Sequence, residues 1–220
     1  MVDRNGSRPD GEPVTGWHLV RRLIGSTRKA WADDRAAQIV EFAAALPLLV
    51  LFVVGIFDFS AAYTLKQKLT NVARETARVS AADPANDLSN ATPASISDAF
   101  WVVDNYLVAN KINDCGISPT SVSHSAGSTV WTFSSAGNGC LGTGLVVTIN
   151  RGYYFPSDST QPAGLNCTAQ SPGTQTAIIA TCVSIQYAYQ WRFGRVARLL
   201  GSAITLPTTL TATAVAMNEN

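Results

Sequence analysis

The chain has 220 residues, 46% of them hydrophobic and only 14% charged, where soluble domains average about 25% charged. Its formal net charge is +1, so no global field draws it to nucleic acid or to acidic partners. The length allows one domain of ordinary size plus an anchor, and the charge deficit is concentrated in one stretch.

Residues 1–36 read as a cytoplasmic leader. It carries seven basic residues (Arg4, Arg8, Arg21, Arg22, Arg28, Lys29 and Arg35) against five acidic ones, and basic residues flanking a span favour the cytoplasmic side. A conventional secretory signal would place its apolar region at roughly residue 10. Here the apolar run begins much later: Phe42 to Phe57 is uncharged, and between Ala36 and Tyr63 the only charges are Glu41 and Asp58. A helix needs about 20 mostly apolar residues to cross the hydrocarbon. Residues 37–63 therefore predict a transmembrane helix, with Glu41 and Asp58 near the two interfaces. A buried core helix would be amphipathic, whereas this stretch is apolar all round.

The helix is predicted to continue beyond the span. Leu65, Leu69, Val72, Thr76 and Val79 recur at intervals of three and four, one face of a helix. Asp83-Pro84 supplies the stop, because proline disfavours helix at the residue before it. Residues 64–83 are thus an extension, giving one helix of about 45 residues. Lys66, Lys68, Arg74 and Arg78 follow the span and weaken the charge argument for orientation. The cysteines decide it. Cys115, Cys140, Cys167 and Cys182 all follow the span, none in a CxxC pair, and with only His18 and His124 beside them a zinc site would need unusual spacing. Two disulfides in an oxidising compartment are the better reading. Three connectivities remain open; Cys115–Cys140 and Cys167–Cys182 are favoured because each pair brackets a Gly/Ser/Thr-rich loop.

Residues 84–220 are predicted to form the exported domain. Thr92-Pro93 reads as an N-cap followed by proline at the first helical position, and Ile96, Phe100, Val103 and Leu107 form a stripe up to about Asn110. Then β patterns dominate: Thr129–Ser134, Leu145–Asn150, Ala177–Trp191 and Thr208–Met217, with a short helix around Arg195–Leu200. The fold class is α+β: a long N-terminal helix, then an antiparallel sheet of about four strands with one or two short helices.

Little in this domain points to chemistry. Ser123, His124 and Ser125 hold a nucleophile and a base, but strand neighbours rarely face each other, so no triad follows. Gly137-Asn-Gly-Cys-Leu-Gly142 lacks the Lys-Ser/Thr and the helix of a phosphate loop. Asp98 and Asp104 read as solvated charge. Arg192, Arg195 and Arg198 read as a solvated face, with phosphate or lipid headgroups as the lesser reading. Tyr153, Tyr154, Tyr187, Tyr189 and Trp191 are expected to pack the sheet, a glycan surface being the lesser reading. No enzyme, cofactor or metal is indicated.

The segment Arg35-Ala-Ala-Gln-Ile-Val-Glu41-Phe42-Ala-Ala-Ala-Leu-Pro47 is the most specific in the chain. A carboxylate at the mouth of an apolar helix is costly unless paired, and Pro47 is a helix breaker within the span. A small residue, four residues, Glu-Phe, a short apolar run, Pro, a longer apolar run and then the Ala/Arg-rich turn Val72-Ala-Arg-Glu-Thr-Ala-Arg78 resemble the TadE-like family of the tight-adherence (Tad, or Flp) pilus machines. The resemblance covers residues 35–80 and touches the ending Ala-Met-Asn-Glu219. It implies a minor pilin or pseudopilin in the inner membrane, with its C-terminal domain outside or carried into a surface pilus. The implied partners are the membrane, a prepilin peptidase, other Tad pilins and pilus assembly proteins. It also implies a cut between Ala36 and Ala37, where the family prefers Gly before the cut and this chain has Ala36. Glu41 would then be the fifth residue of the mature chain, one helical turn from the new α-amino group, and would pair with an amine during assembly. The contrasting reading is a membrane-anchored ligand-binding or enzymatic domain whose anchor merely resembles a pilin's.

Overall fold

The structure, a computed structural model, describes residues 34–84, 86, 88–156, 167–168, 177–192 and 206–219. The expected helix around Arg195–Leu200 lies outside them, as does most of the leader. Packing divides the chain into two compact units, Met1–Val53 and Val54–Asn220.

Helix α1, Asp34–Ala82, spans 49 residues and runs through Pro47, whose missing N–H removes one helical hydrogen bond. It stops immediately before Asp83-Pro84, where the sequence predicts. Its part in the first unit is exposed from Ala37 to Val50. Ile39 and Phe42 are 70% and 65% exposed, so this surface demands an apolar surrounding. Among the described residues α1 is long and apolar enough to cross a membrane.

In the second unit α1 changes character. Asp58, Ala62, Leu69, Val72, Ala73, Thr76, Ala77, Ser80 and Ala81 are buried, a stripe at helical spacing against the sheet domain. The residues of the extension belong to the same core as the sheet: Leu69, Val72, Ala73 and Ala77 join Ile96, Phe100, Val103 and Leu107 of helix α2, Ala94–Ala109. Burying each large member stabilises by about 1.5–3 kcal/mol.

The start of α2 differs from expectation. Pro93, not Thr92, is the N-cap; its backbone is extended and its carbonyl accepts from Ile96 and Ser97 N–H. Proline needs no donor there, and no side chain caps the helix. The C-terminus closes as predicted near Asn110. Lys111 takes φ +55°, its N–H bonds Val108 O and the Ile112 N–H bonds Leu107 O, which is a Schellman closure with lysine where glycine is usual.

A 3-10 turn, Pro119–Ser121, leads into a five-stranded antiparallel sheet of β1 Val122–His124, β2 Val130–Ser135, β3 Leu145–Pro156, β4 Ala177–Ala188 and β5 Thr209–Met217, ordered as in the chain. The sequence predicts about four strands; the extra one is β1, at three residues too short to show a period of two. β3 runs past the predicted end at Asn150 by means of a bulge between Asn150 and Tyr153. One face of the sheet carries Trp131, Phe133, Leu145, Val147, Ile149, Val183, Ile185, Ala212 and Ala214 into the main core. On the other face, Ser123, Thr132, Thr148, Ser184 and Thr213 stand in one row across all five strands, the hydroxyl pairing that suits a polar sheet face. Beyond that row Tyr153, Ala180, Cys182 and Cys167 form a second, small core. The β2–β3 turn closes on Gly144, at φ +64°, where a Cβ would run into the Ser135 carbonyl.

Cys115 bonds Cys140 and Cys167 bonds Cys182, with Cα–Cα distances of 5.5 and 5.3 Å. The first ties the connection after α2 to the β2–β3 turn. The second seals the small core onto β4. For loops with separations of 25 and 15 residues, the chain-entropy account gives about 3 kcal/mol of stabilisation each. Alkylation of the isolated protein without reductant is expected to label no cysteine, and reductant to lower its unfolding midpoint. Labelling of any thiol before reduction would contradict the oxidised state.

Candidate functional site

Two regions of α1 carry polar groups where an apolar helix should have none. The first is its beginning. Ala37 and Glu41 are four residues apart in one continuous helix, hence on one face and one turn apart. Both are exposed, as is Pro47.

The second lies around residue 58 of α1, within the Val54–Asn220 unit. Asp58 is only 5% exposed. The Tyr189 hydroxyl lies 3.1 Å from Asp58 Oδ1 and 3.3 Å from the Asp58 carbonyl oxygen. Burial and then this hydrogen bond hold the Tyr189 phenol above its ordinary pKa, with Arg192 acting the other way. Phe59 packs on Trp191 at 5.0 Å, Tyr189 meets Trp191 edge-on at 5.0 Å, and the Trp191 indole N–H bonds Pro207 O at 2.6 Å. The sequence reading assigns Tyr189 and Trp191 to sheet packing, but β4 ends at Ala188 and these side chains pack against the anchor helix instead. Alternation alone cannot locate the last residue of a strand, which is why the assignment missed.

At the far end of α1 a third polar group appears that the sequence reading passed over. Arg151 is buried in β3 at the bulge. Its guanidinium donates to the Ser80 carbonyl, to Thr181 Oγ1 at 3.1 Å and to the Asp83 carbonyl at 2.7 Å. Asn218 Nδ2 bonds the Arg151 carbonyl, and the Glu219 N–H reaches Ala81 O. A cation on the C-terminal carbonyls complements the helix dipole. The sequence reading ends this strand at Asn150 and so leaves Arg151, the lone charge of β3 (Leu145–Pro156), outside it.

The other candidates disperse. The His124 ring stacks on Trp131 at 4.5 Å and 3° while its Nδ1 lies 3.0 Å from Val130 O, a cross-strand packing role. Asp98 is exposed, but Asp104 is half-buried rather than solvated, and burial together with Asp114 raises its pKa. Among the described residues no three His, Cys, Asp or Glu cluster as metal ligands.

The family model for TadE-like protein matches residues 36–78. Residues 36–78 are therefore similar to the TadE-like family. The match begins at the residue before Ala37, takes in Glu41 and Pro47, and ends within α1 four residues before its last, Ala82. It covers less than half of the chain and none of the sheet. No curated protein and no solved structure matches the chain.

Proposed function

We propose that the chain is a minor pilin or pseudopilin of a Tad-type pilus, not an enzyme. The observation that carries this is the TadE-like match over a helix whose first turns set Ala37 and Glu41 on one exposed face. In this reading residues 1–36 are a cytoplasmic leader, 37–63 span the inner membrane, 64–83 extend the helix, and 84–220 form the extracytoplasmic domain. Two disulfides after the span support that orientation. A prepilin peptidase removes the leader between Ala36 and Ala37, and Glu41 and Pro47 shape the packing of the helix among other pilins. Assembled there, the domain joins the pilus or stays at its base, in the service of adhesion.

The test has two arms. Intact mass of the membrane-extracted protein is expected to place the N-terminus at Ala37; a full-length leader in cells with an active prepilin peptidase refutes the cut. Deleting the chain is expected to abolish piliation and surface adhesion, and restoring it to recover both. Normal pili in the deletion strain would favour the anchored binding or enzymatic domain.

A further inference from the structure

Within the Val54–Asn220 unit, α1 and the C-terminal end of α2 meet over a cavity of about 420 Å³. Its α1 wall is graded along the helix: Phe57 and Ala61 come first, then Thr64 and Leu65, then Lys68. From Phe57 to Lys68 the helix rises roughly 16 Å at about 1.5 Å per residue. The opposite wall is the chain that closes α2, with Lys111 at its centre. One end of the cavity is therefore apolar and the other cationic. At the apolar end Phe57 is 72% exposed, a surface that calls for an apolar surrounding.

The fold places both cations. Lys111 stands at φ +55° in the closure of α2. Lys68 Nζ lies 3.4 Å from the Asn110 carbonyl oxygen, which uses one of the three donors of an ammonium. Among the described residues neither lysine has a carboxylate partner. A helical side chain leans towards the N-terminus of its own helix, so Lys68 leans back along the wall towards Phe57.

An amphiphile with an acidic head and an acyl tail has the same gradient. Two ammonium groups suit a phosphodiester that carries net negative charge. A zwitterionic head brings an ammonium of its own against the lysines and loses part of that attraction. A free phosphate engages the lysines and leaves the apolar end bare.

We propose that this cavity holds an anionic phospholipid, its phosphodiester between Lys68 and Lys111 and an acyl chain along Phe57 and Ala61. The lipid bridges α1 and the end of α2 at the membrane surface. The proposal rests on the reading in which α1 spans the membrane.

The experiment uses the full-length protein, extracted in mild detergent and titrated with phosphatidylglycerol, phosphatidylethanolamine or phosphatidylcholine, with retained lipid read by native mass spectrometry. One phosphatidylglycerol is expected to be retained roughly tenfold more strongly than either zwitterionic lipid, and not to be displaced by inorganic phosphate in millimolar excess. Lys68→Gln and Lys111→Gln should each lower its retention about fivefold, the contribution of one basic residue near an anionic surface. Lys66→Gln removes the same charge from α1 outside the cavity and should leave retention unchanged. Ala61→Trp, which fills the exposed apolar end, should lower it severalfold. Near-UV circular dichroism is expected to match the parent in all four variants. Equal retention of the three lipids, or retention untouched by Lys68→Gln and Lys111→Gln, would overturn the site. An equal loss in Lys66→Gln would replace it by a diffuse surface charge, and displacement by phosphate, or retention untouched by Ala61→Trp, by a simple anion site. Carbonate extraction of the membranes separates the two readings: a chain that stays embedded yet shows no preference fails only the lipid site, whereas a chain released into solution fails the membrane span as well.

Discussion

Arg151→Met will destabilise the sheet domain by about 3 kcal/mol, one of the two largest effects expected in this chain. The guanidinium is almost fully buried and bonds the Ser80 and Asp83 carbonyls at the end of α1. Hydrogen bonds to charged groups contribute about 1.5–3 kcal/mol each, and orphaned buried carbonyls add their own desolvation cost. Methionine fills most of the volume but satisfies neither carbonyl. The loss spreads, because Thr181 Oγ1 also bonds Asn218 Oδ1 at 2.6 Å and Asn218 bonds the Arg151 carbonyl. In a chain of this size 3 kcal/mol lowers the melting temperature on the order of 10 °C. Near-UV circular dichroism of the detergent-solubilised full-length protein reads it, since Trp131 is buried in the main core. Arg151→Lys should recover only part, because one ammonium keeps the charge on the helix end but loses the forked geometry. A midpoint within 2 °C of the parent for Arg151→Met would show that the contact contributes little.

The sequence made the long elements legible because their periods are long. Five residues at helical spacing, from Leu65 to Val79, announced the extension of α1, and all are buried or half-buried. Asp83-Pro84 ends it close to the expected place: the extension is expected over 64–83 and the helix stops at Ala82. Ile96, Phe100, Val103 and Leu107 announced α2, and all four are buried. What failed was local. β1 is three residues long, and two apolar-facing positions cannot define alternation. The predicted strand stops at Asn150, whereas the chain continues through a bulge there that places a cation on the end of α1. The pairing of Asp58 with Tyr189 joins residues 131 apart in sequence, and no local pattern reports a contact that distant. Of the candidate functional residues, Glu41 and Pro47 stood out because lipid makes a carboxylate or a proline conspicuous. Arg151 did not, because its partners are main-chain carbonyls that carry no sequence signature.

The other large effect belongs to Glu41. Glu41→Gln is expected to abolish association with other pilins, and with it piliation and adhesion, while leaving the sheet domain folded. The domain is spared because its buried apolar residues begin at Ala62, well beyond position 41. Insertion is also spared, since a neutral amide costs less in hydrocarbon than a carboxylate. The loss follows from pairing. Glu41 stands one turn from Ala37 on the exposed helix, and on the proposed function an amine freed at residue 37, on this chain or a neighbouring one, would neutralise it. A charge costs most at the bilayer centre and less near an interface, so at the mouth of the helix the unpaired carboxylate carries a smaller penalty, which assembly would recover. Glutamine has no charge to neutralise and gains nothing equivalent. Glu41→Asp, shorter by one methylene, should retain part of the effect. The opposing account has Glu41 extending to the headgroups and contacting no protein, in which case the glutamine variant behaves as the parent. Co-purification with the pilus partners decides between them, alongside the intact mass of the variant, because position 41 lies close to the proposed cut. A variant cleaved at Ala37, normally folded and unable to associate establishes the assembly role; one that associates and piliates normally removes it.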